Sequence, residues 1–173
     1  MPKQQVVNGI NIIIAVYDIA HPGQLDTSLL LPAQQLNSNT MFYRQFYSEL
    51  GKLLFALAKV DGGISQQEKA ALKDIVKKEL APTEKNTDKF GTDAAYYTEI
   101  EFEILEDTEY DPEDAFESFL SFVENHHTAI DERMRDTTLK VAKRLADTFH
   151  KTNKKEALLL AKLEAKLRTL PVK

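Results

Sequence analysis

Hydrophobic residues after position 41 recur at spacings of three and four, which is the period of an α-helix. The first run forms one helical face that consists of Phe42, Phe46, Leu50, Leu53, Leu57 and Val60. A second run continues through Leu72, Ile75, Val76 and Leu80. Proline lacks the amide hydrogen that a helix interior needs, so we expect this second helix to end at Pro82.

Residues 94–106 fit two different periods. Tyr97, Ile100 and Ile104 lie on one face of a helix. The alternation of Ile100, Phe102 and Ile104 with glutamates is instead typical of a strand. Helical segments stand on both sides of these residues, and this neighbourhood favours a helix.

Polar capping residues mark the starts of three more helices: Asp111 before Pro112, Thr128 with Asp131, and Asn153 with Glu156. The apolar faces that follow these starts are Phe116, Phe119, Leu120 and Val123; then Leu139, Ala142, Leu145, Ala146 and Phe149; and last Leu160, Leu163, Leu167 and Leu170. Six helices with short connections predict an all-α orthogonal bundle over residues 41–173.

Residues 1–40 differ from the rest of the chain in charge. They contain three charged residues, Lys3, Asp18 and Asp26, whereas the remaining 133 residues contain forty-six. The segment 6–12 is typical of a short β-hairpin with an Asn-Gly turn. We therefore predict an N-terminal appendage, 1–40, in front of the helical domain. An alternative is that Met41 is the true start of the protein.

Composition and charge limit the possible functions. With 173 residues the chain is long enough for one domain with a hydrophobic core. The net charge of −5 argues against binding to nucleic acid, and the absence of cysteine excludes disulfides, thiol catalysis and thiolate metal ligands. We find no apolar run for membrane insertion and no secretory pattern, so a cytoplasmic location is expected.

The connection between the first two helices is the most informative stretch of the chain. It reads Asp61-Gly62-Gly63-Ile64-Ser65-Gln66-Gln67-Glu68. Ser65 and Glu68 have the spacing of a capping box, in which each side chain bonds to the backbone amide of the other residue. The stretch therefore predicts a tight helix-turn-helix with two carboxylates, Asp61 and Glu68, beside the turn.

A degraded copy of this unit occurs 88 residues later. Residues 57–61 align with residues 145–149, and the pair Ser65 and Glu68 aligns with Asn153 and Glu156. The second copy has lost the aspartate, because Phe149 stands at that position. We interpret the pattern as a pseudo-repeat whose packing can bring Glu68 and Glu156 together.

The turn resembles that of the TerB-like (tellurite resistance protein B) family over about residues 41–170. The features that carry the resemblance are a helix ending in Leu57-Ala58-Lys59-Val60-Asp61-Gly62 and the Ile-Ser-x-x-Glu start of the next helix. In that family the acidic residues around this turn are associated with divalent metal binding. The resemblance implies metal ligands at Asp61, Glu68 and, in the second half, Glu156. Oxygen ligands alone favour magnesium, calcium or manganese as the cation. The alternative is a purely structural role, in which Asp61 and Glu68 only cap the turn.

Other kinds of functional site, namely an EF-hand calcium loop, a di-iron centre and a catalytic site, fit the sequence poorly. An EF-hand register places Leu57 and Lys59 at oxygen-ligand positions, so we reject a calcium loop of that kind. Glu124 with His127, and Asp147 with His150, have the spacing of helical di-iron ligands. Such a site also needs two further buried glutamates on facing helices, so we interpret these histidines as exposed to solvent. We find no catalytic residues. The aromatic cluster of Tyr96, Tyr97, Phe102 and residues 116–122 is typical of core packing, and a partner groove is the alternative.

The lack of a catalytic motif and the resemblance to the TerB-like family together predict a non-catalytic helical module, and the resemblance implies an interaction or sensor role. The resemblance implies a protein partner in a stress-response or membrane-associated assembly, with a divalent cation at the acidic turn. The alternative from another class is a metal-dependent enzyme that uses the same turn. A convergent pocket around Asp61, Glu68 and Glu156 would favour the enzyme, and a capped turn or a shallow acidic surface would favour the module.

Overall fold

The computed structural model describes residues 4–7, 10–13, 38–83, 93–148 and 154–171. It divides the chain into two compact units, 1–35 and 36–173. In the first unit, strands β1 (Gln4–Val7) and β2 (Ile10–Ile13) pair antiparallel with Val7 opposite Ile10. The predicted Asn8-Gly9 turn lies outside the described residues, and the hairpin and the boundary at residue 40 stay predictions.

The second unit is an all-α bundle, as the periodicity predicts. Its six helices are α1 (Ser38–Lys59), α2 (Gln66–Ile75), α3 (Tyr97–Asp107), α4 (Pro112–Asn125), α5 (Glu132–Asp147) and α6 (Lys154–Thr169). A π-helical turn, Val76–Leu80, and a 3₁₀ turn, Ala81–Thr83, extend α2. A second 3₁₀ turn, Ala94–Tyr96, precedes α3. No helix among these residues is long and apolar enough to cross a membrane.

Helix α1 lies at the centre of the bundle and packs against α3, α4 and α5. Its predicted face is buried from Phe46 to Leu57, but burial continues around the helix because Leu54, Phe55 and Ala56 are also inaccessible to solvent. A helix that is apolar on all sides is typical of a core position. The predicted faces of α2, α4, α5 and α6 contribute most of the remaining core.

Three details differ from the sequence prediction. The chain stays helical through Pro82, since proline is tolerated in the short 3₁₀ turn that follows the π-helical turn. Helix α5 begins at Glu132 with Asp131 alone as its cap, because the Asp131 carboxylate accepts from the amide of Met134 at 2.8 Å. Thr128 lies in the preceding turn.

The third difference concerns α3. The segment is helical, but its buried face consists of Thr98, Phe102 and Leu105. Ile100 and Ile104, which belong to the apolar face that the periodicity indicates, are exposed. Helix α3 contains more apolar residues than one face can bury, so periodicity alone could not select which face points to the core.

The two predicted helix pairs have matching bounds. Helix α1 ends at Lys59 and α2 begins at Gln66, while α5 ends at Asp147 and α6 begins at Lys154. Each bound in the second pair stands 88 residues after its counterpart. The connection between α5 and α6 includes Phe149 and Asn153, which lie outside the described residues.

Candidate functional site at the acidic turn

The turn between α1 and α2 is shaped by Gly62. Its φ angle is 132°, a conformation that residues with a Cβ rarely adopt. The Gly62 amide donates to the carbonyl of Lys59 at 2.9 Å and so closes the end of α1. Gly63 has no such requirement, because a Cβ added there would meet open space. The Gly-Gly pair therefore contains one conformationally demanding position.

The predicted capping box is confirmed. The amide of Glu68 donates to Ser65 Oγ at 3.2 Å, and the amide of Ser65 donates to Glu68 Oε2 at 2.5 Å. These two bonds satisfy amides that the first turn of α2 would otherwise leave without a partner. They also hold the Glu68 carboxylate against the protein, where the residue is only 4% exposed.

Asp61 and Glu156 both lie within electrostatic reach of Glu68. Burial raises the pKa of Glu68, the two bonds from Ser65 oppose that change, and the negative charges of Asp61 and Glu156 add to it. Glu156, in the first turn of α6, is 3% exposed, whereas Asp61 lies at the surface. Two buried carboxylates and one exposed carboxylate therefore share this region.

The three carboxylates do not supply a complete set of metal ligands. Within the part of the chain that the structure describes, no group of three or more His, Asp or Glu residues could hold a metal ion. A cation at the turn would consequently take one or two side-chain ligands and complete its coordination with backbone carbonyls or water. The metal site at Asp61, Glu68 and Glu156 stays a prediction.

A groove of about 420 Å³ lies beside the turn, between the end of α1 and the starts of α4 and α6. Its apolar wall includes Val60, Phe116 and Leu159, and charged side chains stand around it. Asp61, Glu68 and Glu156 do not line this groove. A substrate bound there would not face the predicted metal ligands.

The two pairs with di-iron spacing are Glu124 with His127 and Asp147 with His150, and the residues of the first pair bond to other groups. Nδ1 of His127 lies 2.9 Å from the carbonyl oxygen of Glu124, and the Glu124 carboxylate accepts from Lys166 at 2.8 Å. The bond from Lys166 lowers the pKa of Glu124. His150 lies outside the described residues. The Glu124 carboxylate is thus engaged across to α6 rather than paired with His127 as a ligand.

A partly buried polar network that the sequence pattern did not predict connects α1 with α4. Ser118 Oγ donates to Glu49 Oε2 at 2.9 Å, while Lys52 Nζ donates to Glu49 Oε1 at 2.7 Å and to Ser118 Oγ at 3.1 Å. The neighbouring Glu101 has a raised pKa because of burial, with Lys52 opposing and Glu49 adding to the change. Glu49 and Lys52 stand three apart on α1, and this spacing was the one available signal.

This network has the residue types of a serine–lysine catalytic pair but not the arrangement. A general base must accept the nucleophile's proton. Here the Lys52 ammonium donates to both neighbours, and the serine proton points to a carboxylate that already accepts from Lys52. We interpret the network as a structural link between α1 and α4.

Comparisons of this chain with protein-family models, with curated proteins and with solved structures find no match. The resemblance to the TerB-like family therefore rests on the residues of the turn and of its degraded copy.

Proposed function

We propose that this chain is a non-catalytic helical interaction module of the TerB-like type, tuned by a divalent cation at the acidic turn. Its setting would be a stress-response or membrane-associated assembly, as the resemblance implies, and we place that assembly in the cytoplasm. The observation that carries the cation part is the burial of Glu68 beside Asp61 and Glu156.

Buried carboxylates that lie close together are unfavourable when all of them are charged. Burial disfavours the charged form, and a second negative charge nearby disfavours it further. The repulsion is relieved by a proton at low pH or by a cation at neutral pH. Among the residues that the structure describes, Glu68 receives hydrogen bonds from Ser65, and these are also present when no ion is bound. A cation would therefore add stabilisation that the capping box does not supply.

The geometry favours a module over an enzyme. The three carboxylates do not line the groove beside the turn, so a ligand bound in that groove would not meet them. Asp61, Glu68 and Glu156 would supply only part of a metal's coordination, which fits a weak site for magnesium, calcium or manganese. These cations bind through oxygen ligands and retain water. A weak site of this kind suits a sensor that responds to a change in cation concentration.

Thermal unfolding with and without cation tests this proposal. A cation that binds only the folded state at ten times its Kd adds about 1.4 kcal/mol to the free energy of unfolding. We expect millimolar magnesium, calcium or manganese to raise the melting temperature of the wild type relative to chelator. Asp61→Ala and Glu68→Gln should remove most of that increase.

Two features of the variants show whether the cation acts at the turn. Asp107→Asn removes an exposed carboxylate from α3 and should leave the cation effect unchanged, and Glu68→Gln retains a side-chain oxygen for the capping box. A cation effect of the same size in wild type and in both turn variants would contradict binding at the turn. A wild type that does not respond to any of the three cations would remove the sensor part of the proposal.

A further inference from the structure

The outer face of α3 is an unusual surface for a small domain. We define it by five exposed residues: Tyr96, at the end of the 3₁₀ turn that leads into α3, and Ile100, Glu103, Ile104 and Asp107 of the helix itself. Tyr96, Ile100 and Ile104 stand four apart and are 39%, 44% and 49% exposed, so they form one continuous apolar stripe. Single exposed apolar residues are common, but three in line along one helix are typical of an interaction surface.

The helix that carries this stripe is held rigidly from behind. Thr98 Oγ1 donates to the carbonyl of Tyr47 on α1 at 3.1 Å. Gly51 brings the two helices so close that a Cβ added there would lie 2.6 Å from the carbonyl oxygen of Thr98. Phe102 is fully buried and packs edge-to-face on Phe55 with ring centroids 5.9 Å apart. Rotation of α3 that would bury Ile100 and Ile104 is therefore blocked.

The surface around the stripe is acidic. From residue 97 to residue 109, which covers α3 and its end, the sequence contains six Asp and Glu residues and no Lys or Arg. On the side toward α2, Lys73 pairs with Glu99 and Glu103 at 3.2 and 3.3 Å, and Lys69 pairs with Glu106 at 2.5 Å.

Negative charge without a matching cation collects at the end of the stripe. Among the residues that the structure describes, neither Asp107 nor Glu109 forms an ion pair. Both stand at the end of α3, where the carbonyl end of the helix dipole adds further negative potential. A partner that covers Ile104 would therefore meet an uncompensated negative edge.

We propose that the outer face of α3 docks a basic amphipathic helix of a partner protein. The apolar side of that helix would cover Tyr96, Ile100 and Ile104, and its lysines or arginines would face Glu103, Asp107 and Glu109. The stripe covers residues 96–104, about 12 Å of helix at a rise of 1.5 Å per residue, which matches two or three apolar anchors on the partner. This inference rests on the interaction module proposed above and names its partner chemistry, and it does not depend on the cation.

Fluorescence anisotropy with three designed 18-residue peptides tests the docking surface on the full chain. The first peptide has leucine on one helical face and lysine elsewhere. The second has the same leucines with glutamate in place of lysine, and the third has the same lysines with serine in place of leucine. We expect the first peptide to bind at least tenfold more tightly than either of the others. Equal binding of the first and third peptides would overturn the proposal, because it would indicate charge attraction alone.

Matched variants locate the site. The double change of Ile100→Ser and Ile104→Ser should weaken binding of the first peptide at least tenfold, since both side chains are already exposed and the fold should persist. Leu158→Ser removes a 58% exposed apolar residue from α6 and should change binding less than twofold. Asp107→Asn with Glu109→Gln should weaken binding and reduce its dependence on salt. Equal loss in the α3 and Leu158 variants would overturn the assignment to α3.

A second copy of the chain is the competing occupant. Sedimentation velocity over a range of concentrations should show a monomer for wild type and for the double isoleucine variant. Self-association that the double variant abolishes would assign the surface to a dimer and overturn the proposal. The cation melts described above read out the turn independently, so failure at α3 and failure at the turn are distinguishable.

Discussion

Glu109 has a left-handed backbone conformation, with φ of 51°, directly after α3. Its amide donates to the carbonyl of Glu106 at 3.2 Å, and the amide of Tyr110 donates to Leu105 at 3.0 Å. These two bonds form the Schellman motif that ends many helices. Glycine is the usual residue at this position because a Cβ in the left-handed region is strained.

Glu109→Gly should therefore stabilise the protein by about 1 kcal/mol. The measurement is the free energy of unfolding from urea titration. Glu109→Ala is the matched control, because it removes the same carboxylate and keeps the Cβ. If both variants gain equally, the gain comes from removing negative charge and the conformational explanation is wrong.

The second prediction at the scale of single residues concerns Glu68 and pH. Its pKa is raised above the ordinary value of 4.5, chiefly by burial. The folded state therefore binds a proton more tightly than the unfolded state, so the contribution of Glu68 to stability is greatest at low pH and is lost as pH rises from about 4.5 through the folded-state pKa. Glu68→Gln should be more stable than wild type at neutral pH in chelator, and this advantage should shrink toward pH 4.5.

The pH dependence can be assigned by comparing variants. Glu156→Gln removes one of the negative charges that raise the pKa of Glu68, so it should reduce the pH effect in part. Asp107→Asn should leave the effect unchanged. A difference between wild type and Glu68→Gln that stays constant from pH 4.5 to 7.5 would contradict the raised pKa.

At the scale of elements, the close approach of α1 and α3 depends on Gly51. A Cβ at this position would lie 2.6 Å from the Thr98 carbonyl oxygen and 2.9 Å from Glu101 Cβ. Alanine is favoured over glycine within a helix by about 1 kcal/mol. Separation of two packed helices costs more than this, because the contact at Thr98 is with backbone that cannot rotate away.

Gly51→Ala should consequently destabilise the protein by about 1–2 kcal/mol, because the contact with backbone places the overpacking cost at about 2–3 kcal/mol and the helix-propensity gain offsets about 1 kcal/mol of it. The measurement is the urea midpoint together with the m-value. Gly63→Ala is the control within the same chain, since a Cβ there meets nothing within 4 Å and should change stability by less than about 0.5 kcal/mol. A Gly51→Ala protein as stable as wild type would show that α3 moves aside without cost.

The pairing of α2 with α5 is a second relation between elements. Arg144 of α5 pairs with both Asp74, at 2.7 Å, and Glu79, and Lys140 pairs with Glu79 at 2.9 Å. Asp74 also accepts from Lys78, and this bond is the main cause of its lowered pKa. Glu79 belongs to the π-helical turn, so that turn presents its carboxylate to α5.

At the scale of the whole molecule, Arg135 connects the start of α5 to the end of α6. Its guanidinium donates to the carbonyls of Leu170, Pro171 and Ile130 at 3.1, 2.9 and 3.3 Å. Residues 170 and 171 are thereby held to a helix that begins almost forty residues earlier, at Glu132. A planar fork of donors can reach several carbonyls at once, which a lysine ammonium cannot do in the same geometry.

Arg135→Ala should destabilise the protein by about 2 kcal/mol, because hydrogen bonds from a charged group contribute about 1.5–3 kcal/mol. Arg135→Lys should recover less than half of the loss. Hydrogen exchange should show faster exchange of amides in the last turn of α6. Lys143→Ala breaks an exposed ion pair with Glu164 at 3.5 Å and should cost less than about 1 kcal/mol. Equal losses for Arg135→Ala and Lys143→Ala would contradict a special role for the fork.

The sequence by itself determined those features whose interactions connect residues close in the chain. The helical periods, the Asp111-Pro112 start and the capping box of Ser65 with Glu68 are confirmed. Each depends on bonds or faces within four residues, so the pattern contains all the information that they need. The matching bounds of the two helix pairs follow from the same local signals.

Only the tertiary structure decided which surfaces meet. The buried face of α3 consists of Thr98, Phe102 and Leu105. This face packs against α1 because Gly51 has no Cβ and lets the backbone at Thr98 come close. The tertiary structure buried Glu49 beside Ser118. It also buried Glu68 and Glu156, whose approach the 88-residue repeat predicts but whose burial the repeat does not. Burial and the electrostatic coupling of distant carboxylates depend on how helices pack, and no spacing within one helix encodes that packing.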